Sequence, residues 1–289
     1  MLLPFDYVRA RSKEEAVDLA RRAGQKAKFL AGGTDLLVRI RDRQLRPEVL
    51  IDLKGIPGIE GIAYREGEGL VVGAATLLNR VIRDEVVRSR YALLAEAAHT
   101  VGSLQIRNRA SLGGNISNAS PAADTAPALL VYESEVVTWG PSGSRVIPLA
   151  EFFRGPGVTA LGEGEFVYAI KLPTLKERSF GVYLKLGRTN AVDLAMVSVA
   201  ALALENGEVR LALGAVAPTP IRLKEAEAIL RGRKDEEAIA RAAVAARRAA
   251  MPISDIRASR EYRLEMTETL TAKAVAQALA GLEGRREGE

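Results

Sequence analysis

The chain has 289 residues, 48% of them hydrophobic and 27% charged, which suits two or three packed globular units rather than a disordered chain. It has no cysteine and one histidine, His99, so disulfides, thiolate zinc sites and chain-held iron–sulfur clusters are excluded, and a histidine-centred triad loses its material. The formal charge of +5 comes from 41 basic and 36 acidic residues, interleaved along a chain with only 5% aromatics, which is not the pattern of a nucleic-acid binder.

Redox chemistry on such a chain must come from a bound organic cofactor or from a partner. No run of about 18 apolar residues is present, so membrane insertion is not expected. The opening Met1-Leu2-Leu3-Pro4-Phe5-Asp6 lacks the basic, apolar and small-residue succession of a secretory signal, so the expected location is the cytoplasm.

Taken in chain order, Ser12 with Glu15 forms an S-x-x-E capping box for a helix to about Arg22, stopped by Gly24. Residues 26–31 read as a strand running into Gly32-Gly33. Thr34 or Asp35 is placed to cap a helix from Leu36 to about Gln44, and 48–53 reads as a second strand, completing a compact β-turn-α-β unit. Turns and short strands follow at 62–64 and 70–72. Helices are expected from Thr76 to Arg83 and from Tyr91 to Val101. The stretch 102–127, dense in Ser, Asn, Gly and Ala, reads as a long loop, and 129–139 as a strand. Strands at 145–147, 166–172, 182–186, 197–204 and 209–216 are expected, the last two joined by an Asn206-Gly207 hairpin. Helices at 223–230, 235–249 and 260–282 close the chain, with 284–289 expected to fray.

Two segments carry candidate chemistry. In Phe29-Leu30-Ala31-Gly32-Gly33-Thr34-Asp35-Leu36, a strand enters two glycines and a helix start, leaving unpaired N–H groups that a phosphate could approach closely. The same residues could equally form a plain tight turn. Neither a P-loop Gly-Lys-Ser/Thr ending nor a G-x-G-x-x-G fingerprint is present. Asp35 would repel a pyrophosphate unless it faces away or bonds a ribose or ring group. The second segment, from Gln105 through Ala110-Ser111-Leu112-Gly113-Gly114-Asn115 to Ala119-Ser120-Pro121-Ala122-Ala123-Asp124, offers many small donors, or else a purely structural loop.

The pair A-G-G-T-D (31–35) and S-L-G-G-N (111–115), with Pro4-Phe5-Asp6-Tyr7, Gln105-Ile106-Arg107-Asn108 and Ala-Ser-Pro-x-x-Asp (119–124), closely resembles the flavoprotein subunits of molybdenum hydroxylases. Carbon monoxide dehydrogenase medium subunits and the flavin domain of xanthine dehydrogenase are of this type. The resemblance implies an α+β chain: a two-subdomain PCMH-type FAD-binding fold (1–54 and 55–174) and a C-terminal antiparallel sheet with helices (175–289). It implies FAD, wrapped at the pyrophosphate by residues 31–35 and closed over by 111–115. Implied contacts are Leu30, Ala31, Gly32, Gly33, Thr34, Asp35, Leu36, Val101, Ala110, Ser111, Gly113, Gly114, Asn115, Asp124 and Lys185. Lys185 corresponds to a lysine near the flavin ring, where a cation favours the anionic reduced flavin. Leu194 stands where the carbon monoxide enzyme has a tyrosine over the flavin. With no cysteine or histidine in either glycine segment, FAD attachment is expected to be non-covalent.

The implied partners are a large molybdopterin subunit and a small 2Fe–2S subunit, in a dimer of heterotrimers. The implied role is passing electrons from the iron–sulfur clusters to an external acceptor. A stand-alone reductase of the enolpyruvyl-UDP-N-acetylglucosamine reductase type and a non-redox nucleotide-binding scaffold are the alternatives.

Overall fold

A computed structural model describes residues 4–189 and 192–287. The first sheet is parallel and three-stranded, ordered Asp6–Arg9, Val49–Asp52, Ala27–Leu30. The first of these strands is absent from the sequence reading, because its four residues show no apolar alternation and Tyr7 is exposed. The helix Lys13–Ala23 starts as its capping box predicts. Ser12 Oγ accepts the Glu15 N–H at 3.0 Å, and the Glu15 carboxylate accepts the Arg11 N–H at 2.7 Å.

The second sheet is antiparallel, ordered Ile62–Arg65, Gly69–Gly73, Phe166–Leu172, Glu135–Gly140, Gly143–Pro148. Between its strands lie short helices: Leu78–Arg83, Glu85–Arg90, Ala92–His99, Leu104–Arg107, Leu112–Ser117 and Thr125–Val131. The first starts two residues later than its sequence suggests, since the Thr76 hydroxyl is engaged with both backbone groups of Gly61 rather than with a helix start. The expected loop 102–127 is therefore half helical. Its serines act as caps, Ser103 Oγ accepting from Ile106 N and Ser111 Oγ from Gly114 N. The expected strand at 129–139 divides into the end of a helix and a strand from Glu135. All seven residues of Thr125–Val131 are buried, so the apolar run is a core helix, and Pro127 falls in its first turn where a missing N–H costs nothing.

The C-terminal sheet is antiparallel, ordered Ser179–Leu186, Val197–Leu204, Val209–Gly214, Ile221–Arg222, with the hairpin at Asn206-Gly207 as expected. Every residue of Val197–Leu204 is buried. Because successive side chains alternate faces, Ala200, Leu202 and Leu204 join the core shared with the second sheet. Val197, Val199, Ala201 and Ala203 join a separate core under the helices Glu236–Ala249 and Arg260–Glu287. The last helix runs further than the expected end at Leu282, through Glu287; residues 288 and 289 lie outside the described ones.

Asp255 anchors the start of that helix. Its carboxylate accepts the N–H groups of Arg257 and Ala258 and pairs with the buried Arg263 at 2.8 Å, which hold its pKa down at about 2. A carboxyl depressed on folding stabilises the protein above its unfolded value of about 3.9, and that contribution fades as pH falls toward about 2. Asp255→Asn should lower Tm at neutral pH, and the gap to wild type should close between about pH 4 and pH 2. Parallel thermal melts across that range check it; a pH-independent gap would contradict it.

Candidate cofactor-binding cleft

The first glycine loop leaves the parallel sheet after Leu30. Its exit is fixed from below by Lys54, whose ammonium donates to Ala31 O at 2.9 Å and to Asp52 Oδ1 at 2.6 Å. The Tyr7 hydroxyl donates to the other oxygen of buried Asp52, tying the first strand to the same anchor. Among the described residues, nothing accepts the backbone N–H groups of Gly32, Gly33, Thr34 or Asp35. No side chain caps the helix Leu36–Arg41, contrary to the expected role of Thr34 or Asp35. Four neighbouring donors are thus uncommitted at a helix N-terminus, which is an anion-binding arrangement.

Gly32 is required for a second reason. A Cβ there would lie 1.9 Å from Arg109 O, so only glycine lets the loop press against the 109–110 backbone. Gly33 has φ +77°, the left-handed region.

The second glycine pair sits inside the helix Leu112–Ser117, and its chemistry differs from that of the first. Gly113 N donates to Ala74 O, Gly114 N to Ser111 Oγ and Asn115 N to Ser111 O. Those amides are spent within the protein, so this segment can hold a ligand only through side chains and the N–H of Ser111. A Cβ on Gly113 would lie 2.5 Å from the Ala74 Cβ, so its glycine serves close packing. Asn115 is well placed: its Oδ1 accepts from Thr125 Oγ1 at 2.6 Å, which leaves its NH₂ free to donate. Asn118 donates to Asp35 Oδ1 at 3.2 Å, bridging the two segments and turning the Asp35 carboxylate toward a partner of its own. Burial pushes the Asp35 carboxyl above its usual range, against the opposing pull of Thr34 and Arg39.

These elements enclose a cleft of about 840 Å³. Ala31, Gly32, Gly33, Thr34, Asp35, Leu36, Val101, Ala110, Ser111, Gly113, Gly114, Asn115 and Asp124 all line it. Leu30 and Lys185 do not. Leu30 is buried beneath the loop, its Cδ1 3.0 Å from where a Gly33 Cβ would stand. Lys185 lies behind Asp124, donating to Asp124 Oδ2 at 2.8 Å and to Thr100 O at 3.0 Å. The Tyr183 hydroxyl donates to Asp124 Oδ1 at 2.9 Å, and this residue was not singled out in the sequence. Burial pushes the Asp124 carboxyl up from its usual range; the Lys185 charge and the Tyr183 hydroxyl pull the other way without cancelling it.

Lys28, Phe29, Leu161, Glu165, Phe166 and Val167 also line the cleft, with the Phe29 and Phe166 rings 5.1 Å apart. Burial raises Glu165, but Arg145, the Gly162 N–H and Thr138 outweigh it and hold this carboxyl below its usual range. Gly102, Ile106 and the exposed Val192 and Leu194 line the cleft as well. Sequence reasoning also missed Lys54 and the Glu165 cluster, which carry no motif and act through contacts distant in the chain. His99 ends an alanine-rich helix and takes no part in the cleft. Among the described residues there is no group of three or more potential metal ligands, and no helix is long and apolar enough to cross a membrane.

Comparison with known proteins gives the family. Residues 3–175 match the family described as the FAD binding domain in molybdopterin dehydrogenase, and residues 182–278 the CO dehydrogenase flavoprotein C-terminal domain. The chain is 35% identical over 281 residues to the carbon monoxide dehydrogenase medium chain of Hydrogenophaga pseudoflava, covering 96% of this chain and 97% of that one. It is 33% identical over 288 residues to the xanthine dehydrogenase FAD-binding subunit of Escherichia coli O157:H7, with the same coverage of 96% and 97%. The structure of carbon monoxide dehydrogenase from Hydrogenophaga pseudoflava superposes with a TM-score of 0.92 over 97% of this chain and 99% of that one, at 35% identity. The chain therefore belongs to the FAD-binding flavoprotein subunits of the molybdenum hydroxylases, and is an FAD-dependent oxidoreductase subunit.

Proposed function

We propose that this chain is the electron-transfer subunit of a molybdenum-containing hydroxylase or dehydrogenase, working with a large molybdopterin subunit and a small 2Fe–2S subunit in a dimer of heterotrimers. The observation that carries the reading is the row of four uncommitted N–H groups at 32–35, in a loop that lines a cleft of about 840 Å³. Bound FAD would supply the chemistry, taking electrons one at a time and releasing them in pairs. The backbone of Gly32, Gly33, Thr34 and Asp35 would hold the pyrophosphate, with the Asn115 amide donating from the facing helix. Phe29 and Phe166 would hold the adenine end. Asp124, fixed by Lys185 and Tyr183, would orient the flavin ring at the end where Val192 and Leu194 are exposed to partners. Leu30 and Lys185 would act from behind these contacts.

The three larger sheets support a reading of the chain as units 1–54, 55–174 and 175–289, with the cofactor between the first two. The lack of a cysteine or histidine in either glycine segment supports non-covalent attachment.

The role is tested by rapid mixing of the FAD-loaded chain with its reduced 2Fe–2S subunit. Loss of flavin absorbance on the turnover timescale is expected. A flavin that the iron–sulfur subunit cannot reduce, on a chain that turns over NADPH alone, would instead favour the stand-alone reductase.

A further inference from the structure

We propose that Arg107 is a positioning residue whose buried, unneutralised charge holds one wall of the cleft and makes bound FAD easier to reduce. The inference rests on the reading that the flavin ring occupies the Asp124 end.

The wall is the turn Thr100-Val101-Gly102, of which Val101 and Gly102 line the cleft. All three of its carbonyls are taken by cations. Lys185 Nζ donates to Thr100 O at 3.0 Å, and Arg107 Nη1 donates to Val101 O at 3.0 Å and Gly102 O at 3.2 Å. Arg107 does not itself line the cleft, so the guanidinium sits behind the turn and draws the carbonyl oxygens toward itself. The Gly102 N–H is left without an acceptor among the described residues. A ligand therefore meets a wall stripped of its negative dipole ends.

The two cations differ in their company. Lys185 is paired with Asp124 at 2.8 Å. Arg107 is only 8% exposed, and its remaining bond is to a neutral group, Nε to Asn79 Oδ1 at 3.4 Å. No carboxylate among the described residues pairs with it. Arginine stays protonated in proteins, so this is a standing positive charge in a poorly screened place. Burying such a charge is costly, and a neutral amide could have held the same carbonyls more cheaply. The charge has a use if the ligand gains an electron: reduction adds negative charge to the ring beside this wall, and a fixed cation behind it favours that state.

Three variants separate charge from scaffolding, each measured in the assembled complex for FAD affinity, flavin midpoint potential and thermal stability. Arg107→Gln removes the charge and should lower the equilibrium for flavin reduction about tenfold, equivalent to about 30 mV for a two-electron couple. Arg107→Lys keeps the charge but loses the fork, so its equilibrium for flavin reduction should stay within about threefold of wild type while FAD binds about tenfold more weakly. Asn79→Asp leaves Arg107 in place but sets a carboxylate against it, and should lower the reduction equilibrium as the glutamine does. If Arg107→Gln fails to fold, Asn79→Asp decides the matter alone. Potentials unchanged in the folded charge-neutralising variants would overturn the proposal, showing Arg107 to be scaffolding only. Failure of the wild-type chain to bind FAD would instead overturn the function proposed above, and this inference with it.

Discussion

Gly32→Ala is expected to weaken FAD binding by at least about a hundredfold, roughly 2.8 kcal/mol, with a smaller loss of thermal stability. The added Cβ would stand 1.9 Å from Arg109 O and 2.8 Å from Arg109 C, both backbone atoms that cannot rotate away. The loop must therefore lift from the 109–110 backbone, and the four N–H groups at 32–35 lose their common aim. Glycine is needed for contact with a segment far along the chain, so the effect falls on the ligand that both segments grip. Gly155→Ala is the control: a Cβ there meets nothing within 4 Å, and affinity should be unchanged. Flavin fluorescence titrations of the two variants give the comparison. Equal affinities would remove the first glycine loop from the binding site.

Lys185→Met should cost about 3–5 kcal/mol of stability, because it leaves the Asp124 carboxylate buried with only the Tyr183 hydroxyl to answer it. The direction with pH follows from the shift. Asp124 is already pushed up by burial, and without the lysine it rises further. A carboxyl whose pKa is raised on folding carries no penalty below its unfolded value of about 3.9 and a growing one above it. The variant should therefore be closest to wild type near pH 4 and fall away toward neutral pH. Replacing both partners, Lys185→Met with Asp124→Leu, should recover much of the stability while FAD affinity stays low, since Asp124 lines the cleft and Lys185 does not. Chemical denaturation at several pH values is the measurement. A double variant no more stable than the single one would mean the pair is not coupled as the distances indicate. Tyr183→Phe, which removes the hydroxyl that donates to this carboxylate, should cost less, about 1.5–3 kcal/mol.

What was legible in the sequence was local. Ser12 and Glu15 cap their helix within four residues, and Asn206-Gly207 closes a hairpin between strands that pair in register. The two glycine pairs were legible as motifs, and both reach the same cleft. Their reasons were not, because each depends on a distant segment: Gly32 on Arg109, Gly113 on Ala74. The two pairs also proved unlike. The first offers free N–H groups, whereas the second spends its own on Ala74 and Ser111. Residues 102–127 read as a loop because their helices are short and polar, held by serine caps and tertiary packing rather than by apolar periodicity. The Asp124–Tyr183–Lys185 group assembles between the start of the helix Thr125–Val131 and the distant strand Ser179–Leu186, and Arg107 contacts only carbonyls and an amide, so neither leaves a mark in residue spacing.

Non-covalent binding of one FAD in this cleft is directly measurable. Apoprotein titrated with FAD should bind one equivalent per chain and quench its fluorescence. ADP should compete only weakly, and denaturation in acid should release all the flavin into solution. An apoprotein that leaves FAD fluorescence unchanged, or that binds ADP as tightly as FAD, would contradict the account; so would a flavin that stays with the denatured chain.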